Sequence, residues 1–558
     1  MKADGKQPDI SRRLRELALK MGRPGNHLSR LTAREKRLER FCVSGGGVFY
    51  DFSRQRLDED VMALLFERAE SLGVRRRFDA MVRGEKVNTT EDRPALHTAF
   101  RRFSPSRSGA PSPADGRDAG PEIEALKDSV RAFARDVHER RIKGSSGKPF
   151  KDIALVGIGG SHLGPRFVAG ALEAFSETGT RLHFLSNVDA YGFEKTVRDM
   201  DPESALWVVA SKSFTSVETL ANHRLARSFM SDRVPDARRH FVAVTAAAER
   251  AGPDDFFRVF PIPDFVGGRY SVTSPAGGVP LSLFLGGEIF ERFLKGAGEM
   301  DIHAASAPAP ENAPLLAALV STWNEAFLKY GALGIIPYAD PLSGICAHVR
   351  QLHMESVGKA PAENSPGTGG PAGTVVFGEP GTNAQHSFFQ MAHQGRPFPL
   401  EFIGIRKPWA LKFPASYRGV AAHQELWANM IAQSLALAAG RKGEGPAAFF
   451  PGGRPSSIIV IDSLSPENIG RLLSFYEAKT VFEGFLRNVN PFDQFGVELG
   501  KKTASGIREK IRRRNETPGP ANGPGATGDA EDFYIDMLFQ TDPFEKGPFS
   551  GAGEEEGA

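Results

Sequence analysis

The chain has 558 residues, of which 41% are hydrophobic and 25% charged, and its formal net charge is +3. That composition is too apolar for a disordered protein and long enough for more than one core, and its near-neutrality excludes nucleic acid as an expected partner while leaving room for a small anionic ligand. Cys42 and Cys346 are the only cysteines, so neither a disulfide framework nor a CxxC metal knuckle exists, which suits a reducing, cytoplasmic setting.

The basic N-terminus, MKADGKQPDISRRLRELALK, is charged throughout, with no apolar leader. No window in the chain approaches 18 consecutive apolar residues, so no membrane span is expected. Residues 1–120 read as a helical segment and linker, ending in SPSRSGAPSPADGRDAGP at 104–121. Three further stretches read as solvent loops: PAENSPGTGGPAG at 361–373, TPGPANGPGATGDAED at 517–532, and the tail GPFSGAGEEEGA.

From residue 121 to 300, the short apolar runs IALVGI, LHFLSN, ALWVVA and HFVAVT alternate with helical patterns. Residues 315–488 repeat the habit with GIIPYA, TVVF, LEFIGIR and SSIIVID. Strand–helix alternation of this kind predicts two tandem α/β sandwiches on parallel sheets. A helical stretch at 489–515 and a tail at 516–558 follow.

Open parallel sheets bind ligands beyond the carboxyl ends of their strands. After IALVGI the chain runs Gly157, Ile158, Gly159, Gly160, Ser161, His162, Leu163, Gly164, Pro165, a glycine loop opening a helix. It has neither the third glycine of a dinucleotide fingerprint nor the GK[ST] of a P-loop, so a phosphate monoester fits better than a nucleotide. After ALWVVA come Ser211, Lys212, Ser213, Ser216 and Thr219, hydroxyls and one ammonium at another helix start. Simple helix capping is the competing reading for these hydroxyls, and two such loops on neighbouring strands weaken it.

Acid–base candidates follow. GICAHVRQLHMESV places Gln351 and Glu355 at i and i+4 on one helix face, as a solvated pair would also be. Arg269 follows two glycines in DFVGGRYSVTSPAGG, where a surface salt bridge is the bland alternative. His423 opens the run HQELWANMIAQ, and Lys501 follows NPFDQFGVELG in a basic helix; a structural hydrogen bond and a solvated charge account equally well for these two. The histidines of the second half form no HExxH or other compact ligand pair, so no metal is expected.

Eight motifs in order resemble the glucose-6-phosphate isomerase family across nearly the whole chain: VNTTEDRPALHTAFR, GIGGSHLGP, SKSFTSVET, VGGRYSVTSPAGG, QLHMESVGK, GEPGTNAQHSFFQMAHQG, HQELWANMIAQ and FDQFGVELGK. The resemblance implies two sugar-isomerase (SIS) three-layer α/β/α domains with a C-terminal helical arm embracing a second subunit. It implies interconversion of glucose 6-phosphate and fructose 6-phosphate, without a cofactor or metal, through ring opening and a cis-enediol. On the matching positions, Glu355 resembles the general base and Arg269 the arginine beside the reacting oxygens. His423 resembles the ring-opening histidine that the family contributes from the neighbouring subunit, and Lys501 the lysine that assists it. Gln351 and Gln494 resemble substrate contacts, and Gly160, Ser161, Ser211, Lys212, Ser213, Ser216 and Thr219 the sugar-phosphate loops. A homodimer with a shared site is therefore implied. A sugar-phosphate sensor without turnover and an isomerase broadened to mannose 6-phosphate are the alternatives. The sequence departs from the family pattern at His162, commonly Asp, at Val357, commonly Asn, at Ser213, commonly Thr, and in SPAGG, commonly SAVGL.

Overall fold

The computed structural model describes residues 6–102, 119–360, 370–409, 416–516 and 530–539. Most of the Gly/Pro-rich stretches and the C-terminal tail lie outside the described residues. The chain divides into one compact unit, Met1–Asp493, and a second, Gln494–Ala558.

Within the first unit, strands form where apolar, β-branched runs allow burial on both faces. The segment read as helical over 1–120 carries helices at Lys6–Met21, Glu59–Ser71 and Val74–Val82, and also a hairpin, β1 (Cys42–Gly45) and β2 (Val48–Asp51). β3 (Asp152–Val156), β4 (Arg181–Leu185), β5 (Ala205–Ala210), β6 (Phe241–Thr245) and β7 (Arg258–Pro261) make an all-parallel sheet in the order β4-β3-β5-β6-β7. Every residue of β3, β5 and β6 is buried, as expected of strands covered by helices on both faces. β7 was not evident from its sequence; it is an edge strand and ends on Pro261, as a strand with no further neighbour can.

β8 (Ala332–Pro337), β9 (Val375–Phe377), β10 (Leu400–Ile405) and β13 (Ser456–Ile461) are parallel and build the second sheet, while β11 (Ser416–Tyr417) and β12 (Val420–Ala421) form a separate small hairpin. The N-terminal hairpin joins this second sheet: β2 pairs antiparallel with β13, giving β1-β2-β13-β10-β8-β9. The parallel core expected of residues 315–488 is therefore extended by two antiparallel strands that the chain made nearly 300 residues earlier. Such a hairpin covers an edge that parallel connections leave open.

The two sandwiches share an interior. Helix Pro466–Leu486 is buried along almost its whole length and packs on helix Gly287–Ser306 of the first half. Beside this contact lies Arg101, 1% exposed, which donates to both oxygens of Asp301 (3.1 and 3.2 Å), to Ser474 Oγ and Thr273 Oγ1 (3.2 Å each), and to Glu477. One guanidinium thus holds two buried carboxylates. Burial pushes Glu477 up to about 7, opposed by Arg101.

Removing one partner of such a cluster leaves uncompensated buried charge, so Arg101→Met should lower unfolding free energy by about 3–5 kcal/mol. Denaturant titration against wild type checks this; a loss under about 1 kcal/mol would mean that the cluster is solvated or relaxes freely.

Candidate functional site

In the first sheet the chain goes from β3 outward to β4 on one side and continues through β5 on the other, so the strand order reverses between β3 and β5. Ligand crevices form at such a reversal, beyond the carboxyl ends of the strands. Both loops singled out from sequence begin there.

The first loop turns on Gly159 (φ +59°) into helix Gly160–Leu172, with Ser161 half-buried in its first turn. A Cβ on Gly160 would sit 2.0 Å from the Gly268 carbonyl oxygen, so only glycine lets this loop touch the segment carrying Arg269. His162 faces inward against Phe184, and burial holds it down at about 4, so it adds no charge to the loop near neutral pH.

The second loop bends at Phe214, whose φ of +51° is accompanied by burial of its ring against Phe256. Helix Val217–Ser231 follows with Ser216 at its N-cap, yet the Ser216 side chain makes no capping bond. Capping, the bland reading of this serine, is not what it does. Ser211 Oγ and Thr219 Oγ1 are buried with no hydrogen-bond partner. Unpartnered buried hydroxyls beside a helix N-terminus suit phosphate oxygens. Ser213 is exposed and pairs with Thr215 at 2.7 Å.

Lys212 behaves differently from the sequence expectation of a ligand-facing ammonium. It donates to the carbonyls of Asp264 and Val266, both at 2.8 Å, and so fastens the strand-to-loop segment that leads to Arg269. Two of its three protons are thereby committed. Burial, with help from Arg93, pushes it down to about 8.

Helix Ile345–Val357 of the second sandwich packs on Gly160–Leu172, with His348 stacked on Phe167. Its last two turns present Gln351 and Glu355, and Gln351 Nε2 donates to Glu355 Oε1 at 3.0 Å. Arg269 Nη1 meets Glu355 Oε2 at 3.3 Å, joining two residues 86 positions apart. Three further Arg269 N–H groups are used on Ser356 Oγ (2.6 Å) and on the carbonyls of Pro491 (2.7 Å) and Asp493 (2.8 Å). The Arg269 side chain is 1% exposed and that of Glu355 28%, so the cation is fixed and the carboxylate reaches solvent or a ligand. Tyr270, pushed up to about 12 by burial, places its hydroxyl 3.1 Å from Ser356 Oγ and stacks on His97.

The structure thus brings together Arg269, Gln351, Glu355 and the Gly160 loop, and it sets Ser211, Lys212, Ser213, Ser216 and Thr219 on the neighbouring strand end. His423 stands elsewhere, at the start of helix Ala422–Ala439, with Nε2 bonded to the Arg406 carbonyl at 3.2 Å. Gln494 and Lys501 belong to the second unit, in and just before the exposed helix Phe495–Glu516. Sequence reasoning passed over Ser356, Tyr270, Lys359 and Asp493. All four lie inside recognised motifs, and Ser356, Tyr270 and Asp493 stand directly beside residues that it did select, which was the available signal.

Two stacked α/β sandwiches with an anion-receptive strand reversal and a fixed Arg–carboxylate pair define an enzyme of the phosphosugar-isomerase type. The phosphoglucose isomerase family model matches residues 51–521, and the chain belongs to that family. It is 50% identical over 517 residues to a glucose-6-phosphate isomerase of Desulfosudis oleivorans, covering 92% of this chain and 94% of that one. A cytosolic glucose-6-phosphate isomerase of Spinacia oleracea is 40% identical over 508 residues, covering 87% and 88%. A crystal structure of a glucose-6-phosphate isomerase from Chlamydia trachomatis superposes with a TM-score of 0.82 at 33% identity, covering 90% of this chain and 96% of that chain. Among the described residues, no helix is long and apolar enough to cross a membrane.

With burial holding Lys212 down to about 8, affinity for sulfate, whose charge is constant in this range, should fall by about threefold or more between pH 7 and 9. Lys212→Arg, which stays charged, should flatten that fall. Calorimetric titration at the two pH values checks it; equal affinities in wild type would remove the ammonium from anion binding.

Proposed function

We propose that this chain interconverts glucose 6-phosphate and fructose 6-phosphate, with Glu355 as the base that carries a proton between carbons 2 and 1. What carries the reading is the Arg269–Glu355 pair at 3.3 Å beside the phosphate-sized loops. Glu355 offers a carboxylate whose two oxygens are separately oriented, one by Gln351 and one by Arg269. Removing a proton beside a carbonyl builds charge on the sugar oxygens, and a cation already fixed by four acceptors stabilises that charge without reorganising. The phosphate does not react; bound by Gly160, Ser161, Ser211, Ser213, Ser216 and Thr219, with Lys212 behind them, it supplies remote binding energy that orients the sugar.

We assign ring opening to His423, assisted by Lys501, with Gln494 as a further substrate contact. His423, whose ring bonds the Arg406 carbonyl, is taken to complete the site of a second copy, so the active form in this reading is a homodimer. The exposed apolar side chains Ile431 and Leu435 on the His423 helix support that assignment. We place the enzyme in the cytosol, a reading supported by its two unpaired cysteines.

Glu355→Gln should lower turnover of fructose 6-phosphate by at least about 10²-fold while sugar-phosphate binding is largely kept. A coupled glucose 6-phosphate assay on chelator-treated protein checks it. Near-normal turnover would remove Glu355 as the base, and binding without turnover in wild type would favour the sensor reading.

Mixing His423→Ala with Glu355→Gln subunits should restore part of the activity through hybrid sites. Absence of recovery in demonstrated heterodimers would overturn the shared-site assignment.

A further inference from the structure

Lys359 has no part in the chemistry above, although it follows Glu355 by four positions. Its ammonium pairs with Asp493 Oδ1 at 2.7 Å, donates to the Asp493 carbonyl at 2.9 Å, and also donates to the Asn490 carbonyl. Arg269 Nη2 uses the same turn, through the carbonyls of Pro491 and Asp493. Two cations therefore converge on one short turn that contains one carboxylate.

The turn is held from the other side as well. Thr90 Oγ1 donates to Asp493 Oδ2 at 2.6 Å, and Asn490 Nδ2 reaches Asn88 Oδ1 at 2.7 Å and Thr90 Oγ1 at 2.6 Å. Asp493 is only 6% exposed. The charged and polar groups facing it are Lys359, Arg269 and Thr90. Those facing Glu355 are Arg269 and Gln351, with Lys359 adding a weaker positive field.

We propose that Lys359 is a positioning residue for the isomerisation: by neutralising Asp493 and pinning the 490–493 turn, it keeps Arg269 directed at Glu355. The competition explains why. A buried carboxylate without its cation is costly by several kcal/mol and takes whatever cation is nearest. For Asp493 that is Arg269, already bonded to the same residue's carbonyl. Glu355, being partly exposed, is stabilised by water and loses that contest. Without Lys359 the guanidinium turns toward Asp493, away from the place where charge develops in the reaction. This inference rests on the isomerase reading and on Glu355 as its base.

The test uses full-length Lys359→Met and the double variant Lys359→Met with Asp493→Asn, beside wild type. Lys359→Met should lower kcat by about tenfold or more with KM for fructose 6-phosphate changed less than about threefold. A carboxylate deprived of its cation is protonated at higher pH, so the acidic limb of the kcat/KM profile should move upward by about half a unit. Adding Asp493→Asn removes the competing charge and should recover at least about threefold in kcat and return the limb toward wild type. A purely structural lysine would change thermal stability without moving the limb, and the second substitution would not help. An unchanged kcat in Lys359→Met, or a folded double variant as slow as the single, overturns the proposal. If the single variant does not fold, the double decides alone: turnover within about tenfold of wild type supports the proposal, and a larger loss overturns it. Absence of turnover in wild type would instead remove the functional reading on which the inference stands.

Discussion

The site depends on one buried guanidinium. Arg269 is 3% exposed and leaves the first sandwich to bond Ser356 and Glu355 in the second and the carbonyls of Pro491 and Asp493 at the end of the compact unit. Burying a guanidinium with free donors is expensive, so the arrangement persists only because its donors find acceptors in fixed directions. Those acceptors come from two parts of the chain, 355–356 and 491–493, well separated from each other and from Arg269. The charge proposed to serve the reaction is thus also what registers the two sandwiches at the site. A lysine could supply the charge but not several planar donors at once.

The loop proposed to hold the phosphate and the turn behind Arg269 are joined by a chain of hydrogen bonds. Lys212 holds the carbonyls of Asp264 and Val266, and Arg93 donates to the same Asp264 carbonyl at 2.7 Å. Arg93 also pairs with Glu91, which accepts from Asn88, and Asn88 bonds Asn490 in the turn shared by Lys359 and Arg269. Each link is a modest hydrogen bond, yet together they set the distance between the anion loops and Glu355. Binding energy gained at a phosphate is useful for turnover only when that distance is stiff, because effective concentration falls quickly with misplacement. The VNTTEDR motif, which contains none of the residues assigned to the chemistry, has a clear physical function as this strut.

The parts of the fold legible in sequence were those with local causes. β3, β5 and β6 announce themselves as continuous β-branched and apolar runs because both of their faces are covered, and the pair Gln351 and Glu355 follows from helical spacing. The hairpin β1–β2 was missed because CVSG and VFYD are short and acquire their meaning only from pairing with β13 some 400 residues later. β7 was missed for a similar reason, being a short edge strand whose burial is partial. At the site, Arg269 and Glu355 were recognisable as candidates, but their 3.3 Å contact was not, since nothing local specifies a partner 86 residues away. Lys212 was recognised for its charge, while its carbonyl partners depend on a loop folding back over the sheet. Long-range closure, which sequence periodicity does not encode, accounts for each of these gaps.

Two of the departures from the motifs that the chain resembles, Val357 and His162, are buried positions. Val357 is 2% exposed and packs with Ala372 and Val489, directly behind the 490–493 turn. Val357 thus supplies packing, while Lys359, Arg269, Asn88 and Thr90 hold the polar groups of the turn. His162 occupies the first turn of the phosphate-loop helix, yet it is buried and held neutral, so its lone unpartnered Nδ1 adds no field at the crevice. An anion at this strand reversal would therefore meet backbone N–H groups and the unpartnered hydroxyls of Ser211 and Thr219, with Lys212 held behind them by two carbonyls.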